Sequence, residues 1–429
     1  MDTKFLVVEP DCLGRTAEIL PLINTGGLPV LLVCDEHTKK AAGEKVAGIL
    51  KGAGIVYEEF VLKPGPYKMV TADYEGVELI RDRLKAAGAF AVAVGSGTLN
   101  DLVKRASAEL ERPYLCVGTA SSMDGYCSFG ASLVYNGYKT TMPCSPPAAV
   151  VADTNILKAA PYEMTASGYG DLYAKLAAGV DWMLADRLGI EKIHRESWDL
   201  VQKDLPAWTA SPEKLRRGDG DAFSALFKGL TMAGLAMQVY KDSRPASGAE
   251  HMISHVWEMG HLSRPDGVPY SHGFKVSVGT SLTVPLMTAF YSLDPAELAP
   301  AACLARRESW EDRQAAVERF FPDPKIGGTV LKVCRDKWLD AGALEKRMET
   351  LCGVLPELRG FAGERLVSPE KVIGDLKNAG CPTTVEEFGL TRRDLKETVM
   401  KAQMIRARYT SLDAIYEAGL LPELLDRLF

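Results

Sequence analysis

The chain has 429 residues, of which 47% are apolar and 25% charged, with a net charge of −6 and a pI near 5.7. That balance belongs to a globular enzyme, and the length points to two domains. The acidic excess argues against a nucleic-acid or anionic-membrane partner, and no apolar run reaches the roughly 18 residues needed to span a bilayer.

The opening MDTKFLVVEPD turns acidic too soon for a signal peptide. Nine cysteines are scattered without a C-x-x-C pair, which suits reduced thiols in a cytoplasm and excludes zinc-ribbon chemistry. Any metal must therefore rest on histidine and carboxylate.

From the N-terminus, short apolar runs alternate with helical periods. Phe5–Val8, Pro29–Cys34, Ile55–Val61, Phe90–Val94 and Tyr114–Val117 read as strands. Ala42, Val46 and Ile49 share one helical face, as do Val77, Ile80 and Leu84, and Gly52, Gly54 and Gly88 fall where those helices should stop. This alternation predicts a parallel sheet covered by helices. Lys139–Pro161 holds four prolines and one last strand-like run, Ala148–Ala152. Beyond it the patterns are helical: Leu395, Val399 and Ala402 form a stripe, and Thr410 to Asp413 reads as a capping box. Residues 204–220 read as a surface loop. The expectation is an α/β nucleotide-binding domain over 1–161 and an all-α metal- and substrate-binding domain over 162–429.

The strand Phe90–Val94 runs into Gly95, Ser96, Gly97 and Thr98 before a helix opens near Leu99. Glycine admits a pyrophosphate close to the backbone, and helix-start N–H groups favour its charge. The third glycine of the dinucleotide fingerprint is replaced by Asn100, and glycine also serves such turns for geometry alone. A second small-residue loop, CVGTASSMDGYCS, spans Cys116–Ser128. Asp35, at the end of PVLLVCD, either holds an adenosine ribose or caps the helix beginning near His37.

Four of the six histidines fall between His251 and His272. His251 and His255 lie one helical turn apart and project from one face, as two ligands of one metal or as a ligand and a neighbour of the substrate. Hydrogen-bonded core histidines are the plainer alternative. His272 is placed at a helix start, and His261 on a loop facing solvent. Imidazole suits Zn, Ni, Fe or Cu alike. TASGYGDLYAKLAAGVDW offers Asp171 as a carboxylate ligand, or as an acidic residue favoured near a helix N-terminus.

Taken together, GSGTLND (Gly95–Asp101), TASSMDGYCS (Thr119–Ser128), SGYGDLYAK (Ser167–Lys175), SGAEHMISH (Ser247–His255), SHG (Ser271–Gly273) and the tail KAQMIRARYTSLD (Lys401–Asp413) resemble sn-glycerol-1-phosphate dehydrogenases. Within them the chain looks like the bacterial arabinose-operon (AraM) type, in the dehydroquinate synthase-like, or iron-containing alcohol dehydrogenase, superfamily. The resemblance covers nearly the whole length. It implies that Asp171, His251 and His272 hold one divalent metal ion, Zn or Ni. It implies that His255 and Asp124 contact the substrate, and that Gly95, Ser96, Gly97, Thr98, Thr119, Ala120, Ser121, Ser122 and Ser128 line NAD(P). A homodimer is implied too. The implied reaction interconverts dihydroxyacetone phosphate and sn-glycerol 1-phosphate. Related polyol or sugar-phosphate dehydrogenases are the neighbouring alternative. A cyclase of the dehydroquinate synthase kind is disfavoured because its pattern has Glu where Asp171 stands. Ser271 and Phe274 depart from the family's usual residues beside the site. Lys139, Lys175 and Lys275 are candidates to meet a substrate phosphate.

Overall fold

A computed structural model describes residues 2–65, 69–135, 138–366 and 368–429. Six parallel strands form the N-terminal sheet: β1 (Phe5–Glu9), β2 (Val30–Asp35), β3 (Tyr57–Leu62), β4 (Phe90–Gly95), β5 (Tyr114–Gly118) and, after a hairpin, β8 (Ala149–Asp153). Their order is β1-β8-β5-β4-β2-β3. The inner strands β4, β5 and β8 are buried throughout and β2 nearly so, whereas the edge strands β1 and β3 are half-buried. Helices on both faces demand continuous apolar runs in the middle of such a sheet. All six predicted strands are present within two residues of their expected ends. The antiparallel hairpin β6 (Ala131–Tyr135) and β7 (Tyr138–Met142) is an addition that the apolar pattern does not announce.

The helices obey the same local rules. Val77, Ile80 and Leu84 form the buried stripe of Tyr74–Ala87, which stops at Gly88 with φ 56°. Ala42 lies in a π turn, Lys39–Gly43, just before the Glu44–Gly52 helix that carries buried Val46. The Thr410–Asp413 capping box is formed. Residues 204–220 are not a loop: they hold two short helices, Leu205–Thr209 and Pro212–Arg216, and the first residue of a third. Their prolines sit in the first two helical positions, where the missing N–H is no loss.

By internal contacts the chain forms two compact units, residues 1–173 with 196–243 and residues 174–195 with 244–429. The first unit thus takes in the Tyr162–Tyr173 helix and the Gly220–Tyr240 helix, the latter in contact with β1. The helix Gly220–Tyr240 is the one described helix long and apolar enough to cross a membrane. Here it is an interior helix of the first unit: Phe227 packs against Gly118, Gly234 against the Asp124 carbonyl, and the Gln238 amide donates to the Cys127 carbonyl at 3.1 Å. The second unit is helical, with no strand among its described residues beyond the isolated bridge Ser263–Pro269. The nine cysteines are free thiols.

Candidate active site

β4 ends at Gly95, and the helix Gly97–Glu109 begins after an extended Ser96 whose side chain makes no capping bond. The first helical turn thus lacks its usual side-chain acceptor, which suits an incoming phosphate. A Cβ on Gly95 would stand 2.4 Å from the Leu99 side chain, and one on Gly97 2.4 Å from Met123. Gly95 is therefore required by packing as well, since the base of the Leu99 side chain stands in the way, whereas at Gly97 the obstacle is the flexible end of Met123. The Thr119 N–H donates to the Gly95 carbonyl at 3.1 Å, joining the second loop to the first. In that second loop Thr119, Ala120 and Ser121 are buried. The Tyr126 hydroxyl donates to the Ala120 carbonyl at 2.7 Å, and the buried Ser121 hydroxyl has no hydrogen-bond partner among the described residues. An uncapped helix start beside a small-residue loop with an unsatisfied hydroxyl fits a dinucleotide phosphate.

Two features of this half are not evident from the sequence pattern. Lys104 is fully buried and donates to the carbonyls of Gly125 (2.7 Å) and Gly130 (3.1 Å), and to Asp101 at 3.2 Å. Asp101 in turn accepts the Ser132 N–H at 3.0 Å. Lys104 is thus a staple for the Gly125–Gly130 turn, and its three-residue spacing from Asp101 is the signal that could have marked it. Ser128, expected at the dinucleotide, directs its proton to the Gly125 carbonyl at 2.9 Å. Asp35 takes the capping role: Oδ1 accepts the Thr38 N–H at 2.7 Å, and the Thr38 hydroxyl accepts the Asp35 N–H.

Asp171 lies in the last turn of the Tyr162–Tyr173 helix rather than at a helix start, so favour from an N-terminal dipole does not explain it. Both glycines of SGYGD are inside that helix, and at Gly168 the reason is close approach. A Cβ on Gly168 would fall 1.9 Å from the Ser121 carbonyl oxygen. Ser167 donates to the Ser122 carbonyl at 3.2 Å, and one turn on the fully buried Asp171 accepts the Asp124 N–H at 3.0 Å. The helix is pressed onto the loop, and Asp171 stands against it.

In the second unit, the Ala249–Met259 helix carries His251, His255 and Glu258 on one face, and His272 opens the next helix, His272–Tyr291. Ser271 caps that helix by accepting the Phe274 N–H at 3.3 Å, a task an apolar residue there could not perform. Ring centroids are 5.3 Å apart for His251 and His272, and 6.4 Å for His255 from either. Glu250 meets His251 Nδ1 at 2.7 Å and also accepts the Gly248 N–H. Glu258 meets His272 Nδ1 at 2.9 Å and His255 Nδ1 at 3.2 Å. A carboxylate at Nδ1 favours the tautomer with the proton there and leaves Nε2 as the lone-pair nitrogen. Although 26% of the His255 side chain is exposed, desolvation by the surrounding protein pushes its pKa down to about 4, against the opposing pull of Glu258. It is neutral at pH 7.

Asp171, His251 and His272 each offer one ligand atom, and these atoms lie within 4.8 Å of one another. One carboxylate oxygen and two imidazole nitrogens fit a divalent ion of borderline softness, and three protein ligands leave a coordination position for substrate. His261, at φ 51°, is exposed on the turn after the helix. Lys175 and Lys275 are buried, whereas the side chain of Lys139 lies outside the described residues.

The family model described as iron-containing alcohol dehydrogenase matches residues 7–161. The glycerol-1-phosphate dehydrogenase [NAD(P)+] of Halalkalibacterium halodurans is 36% identical over 274 residues, 63% of this chain and 68% of that one. The chain belongs to the glycerol-1-phosphate dehydrogenase family, within the iron-containing alcohol dehydrogenases. A Bacillus velezensis family member is 28% identical over 391 residues, covering 91% of this chain and 86% of its own. The fold is shared with a probable glycerol dehydrogenase from Sinorhizobium meliloti, whose structure aligns over 99% of this chain and 98% of its own, with a TM-score of 0.63 at 15% identity.

Proposed function

We propose that this chain is a metal-dependent, NAD(P)-linked oxidoreductase that interconverts dihydroxyacetone phosphate and sn-glycerol 1-phosphate. The observation that carries the reading is the set Asp171, His251 and His272, the first two buried and the third half-buried, in a chain whose family relatives are named for this activity. A divalent ion held there, Zn or Ni, would supply Lewis acidity to the substrate oxygen, and the dinucleotide would exchange hydride with the carbon bearing it. Gly95–Thr98 and Thr119–Ser122 would hold the dinucleotide phosphates, with Asp35 and Ser128 at its margin. Asp124, tied to Asp171 through its N–H, would orient the substrate.

His255 keeps its own proton on Nδ1 toward Glu258 and stays neutral at pH 7. Its Nε2 can therefore accept the hydroxyl proton of glycerol phosphate in the oxidative direction. Lys275 and Lys175 are the buried cations assigned to the substrate phosphate. Functionally, residues 1–161 would serve the nucleotide and residues 162–429 the metal and substrate. The working form is proposed to be a cytoplasmic homodimer of the arabinose-operon type.

The substrate is tested by NADH or NADPH oxidation with dihydroxyacetone phosphate, followed by stereochemical analysis of the product. The expected product is sn-glycerol 1-phosphate, with unphosphorylated dihydroxyacetone turned over far more slowly. Faster turnover of an unphosphorylated polyol, or formation of the opposite enantiomer, would contradict the assignment.

A further inference from the structure

We infer that Glu258 is a positioning residue that fixes His272 and His255 at once, an inference that rests on the proposed metal centre. Glu258 is 7% exposed and lies one turn beyond His255 on the same helix face. Its two carboxylate oxygens are divided between two rings: Oε1 to His272 Nδ1 at 2.9 Å, and Oε2 to His255 Nδ1 at 3.2 Å. Lys275 Nζ stands 3.5 Å from Oε1 and balances the charge. His251 has its own carboxylate in Glu250, and Glu258 is shared by the other two histidines.

The chemistry needs a carboxylate and not merely a polar side chain. Only a group with two acceptor oxygens can receive an N–H from each ring simultaneously. Both rings are then held with Nε2 as the lone-pair nitrogen, one directed to the ion and the other to the substrate. Glutamine has the same size but a single acceptor oxygen, so its NH2 must oppose one ring's N–H. That ring must turn or change tautomer. Because one side chain supports both, a single isosteric change disturbs metal binding and proton handling together.

The test uses the full chain and the metal alone as probe. Affinity for Zn(II) and Co(II) is measured by chelator competition, with the visible spectrum of the Co(II) form as a readout of ligand geometry. Glu258→Gln is expected to bind about 10- to 100-fold more weakly, with an altered Co(II) spectrum and a lowered kcat at little-changed KM for the dinucleotide. Histidine-selective 15N NMR of the zinc-loaded wild type reads the rings without any substitution, and is expected to show Nδ1 protonated in both His255 and His272. Unchanged metal affinity and Co(II) spectrum in a folded Glu258→Gln protein would overturn the inference, as would an Nδ1 of His272 without a proton. A wild type that bound neither metal would instead contradict the metal centre itself.

Discussion

Alanine in place of His251 is expected to leave the protein without bound metal and to lower turnover by roughly a thousandfold or more. Among the described residues one group could hold a metal ion, Asp171, His251 and His272, so the variant retains two of its ligands, too few to compete with free chelators. The ion's stabilisation of developing charge is worth several kcal/mol, and about 1.4 kcal/mol is tenfold in rate. There is a second consequence. Glu250 is fully buried and its Oε1 is shared between His251 and the Gly248 N–H. Loss of the ring leaves that carboxylate under-satisfied, at about 1–3 kcal/mol of stability. Metal analysis, kcat and thermal melting read the three effects separately. Full metal content with near-normal turnover in His251→Ala would remove this ligand from the account.

The second large effect is expected from a single methyl group. In Gly168→Ala the new Cβ would lie 1.9 Å from the Ser121 carbonyl oxygen, and the obstacle is backbone, not the end of a flexible side chain. Either the Tyr162–Tyr173 helix or the Thr119–Ser122 loop must move. Overpacking of this sort costs about 1–3 kcal/mol, which lowers Tm by roughly 2–12 °C for a unit of this size. The same shift would pull Asp171 away from the Asp124 N–H, now 3.0 Å distant. A raised KM for the dinucleotide and weaker metal retention are therefore expected together. Gly220→Ala, where an added Cβ would meet nothing within 4 Å, is the control for a harmless methyl in the same unit. A Gly168→Ala protein with wild-type Tm and KM would show that the approach is not constrained as described.

Much of the fold was legible because local and global preferences coincide. Val30–Asp35 and Phe90–Gly95 are continuous apolar runs because both faces of the sheet are covered, and the Thr410 box announces its helix directly. Residues 204–220 misled because proline and glycine mark helix starts as readily as loops, and the Pro206 and Pro212 helices are too short to show a period. Gly168 and Gly170 look like a helix entry, but Gly168 lies within the helix because the neighbouring loop leaves no room for a side chain.

The candidate site divides in the same way. Histidine spacing suggested a metal, yet only resemblance to a family separated His251 from His255 and added Asp171. Glu250, Glu258 and Lys104 are not legible in the sequence because they carry no chemistry of their own. They hold the groups that do, through contacts that depend on tertiary placement: Glu258 reaches His272 from fourteen residues away. Such carboxylates on a helical face are indistinguishable in sequence from solvated ones.

The most direct test of the central claim is to strip the full chain of metal with a chelator and measure NADH- or NADPH-dependent reduction of dihydroxyacetone phosphate before and after adding back Zn(II) or Ni(II). The expected result is negligible turnover in the stripped protein, restored by stoichiometric metal in the wild type and not in His251→Ala. Undiminished turnover by protein shown to be metal-free would contradict the account.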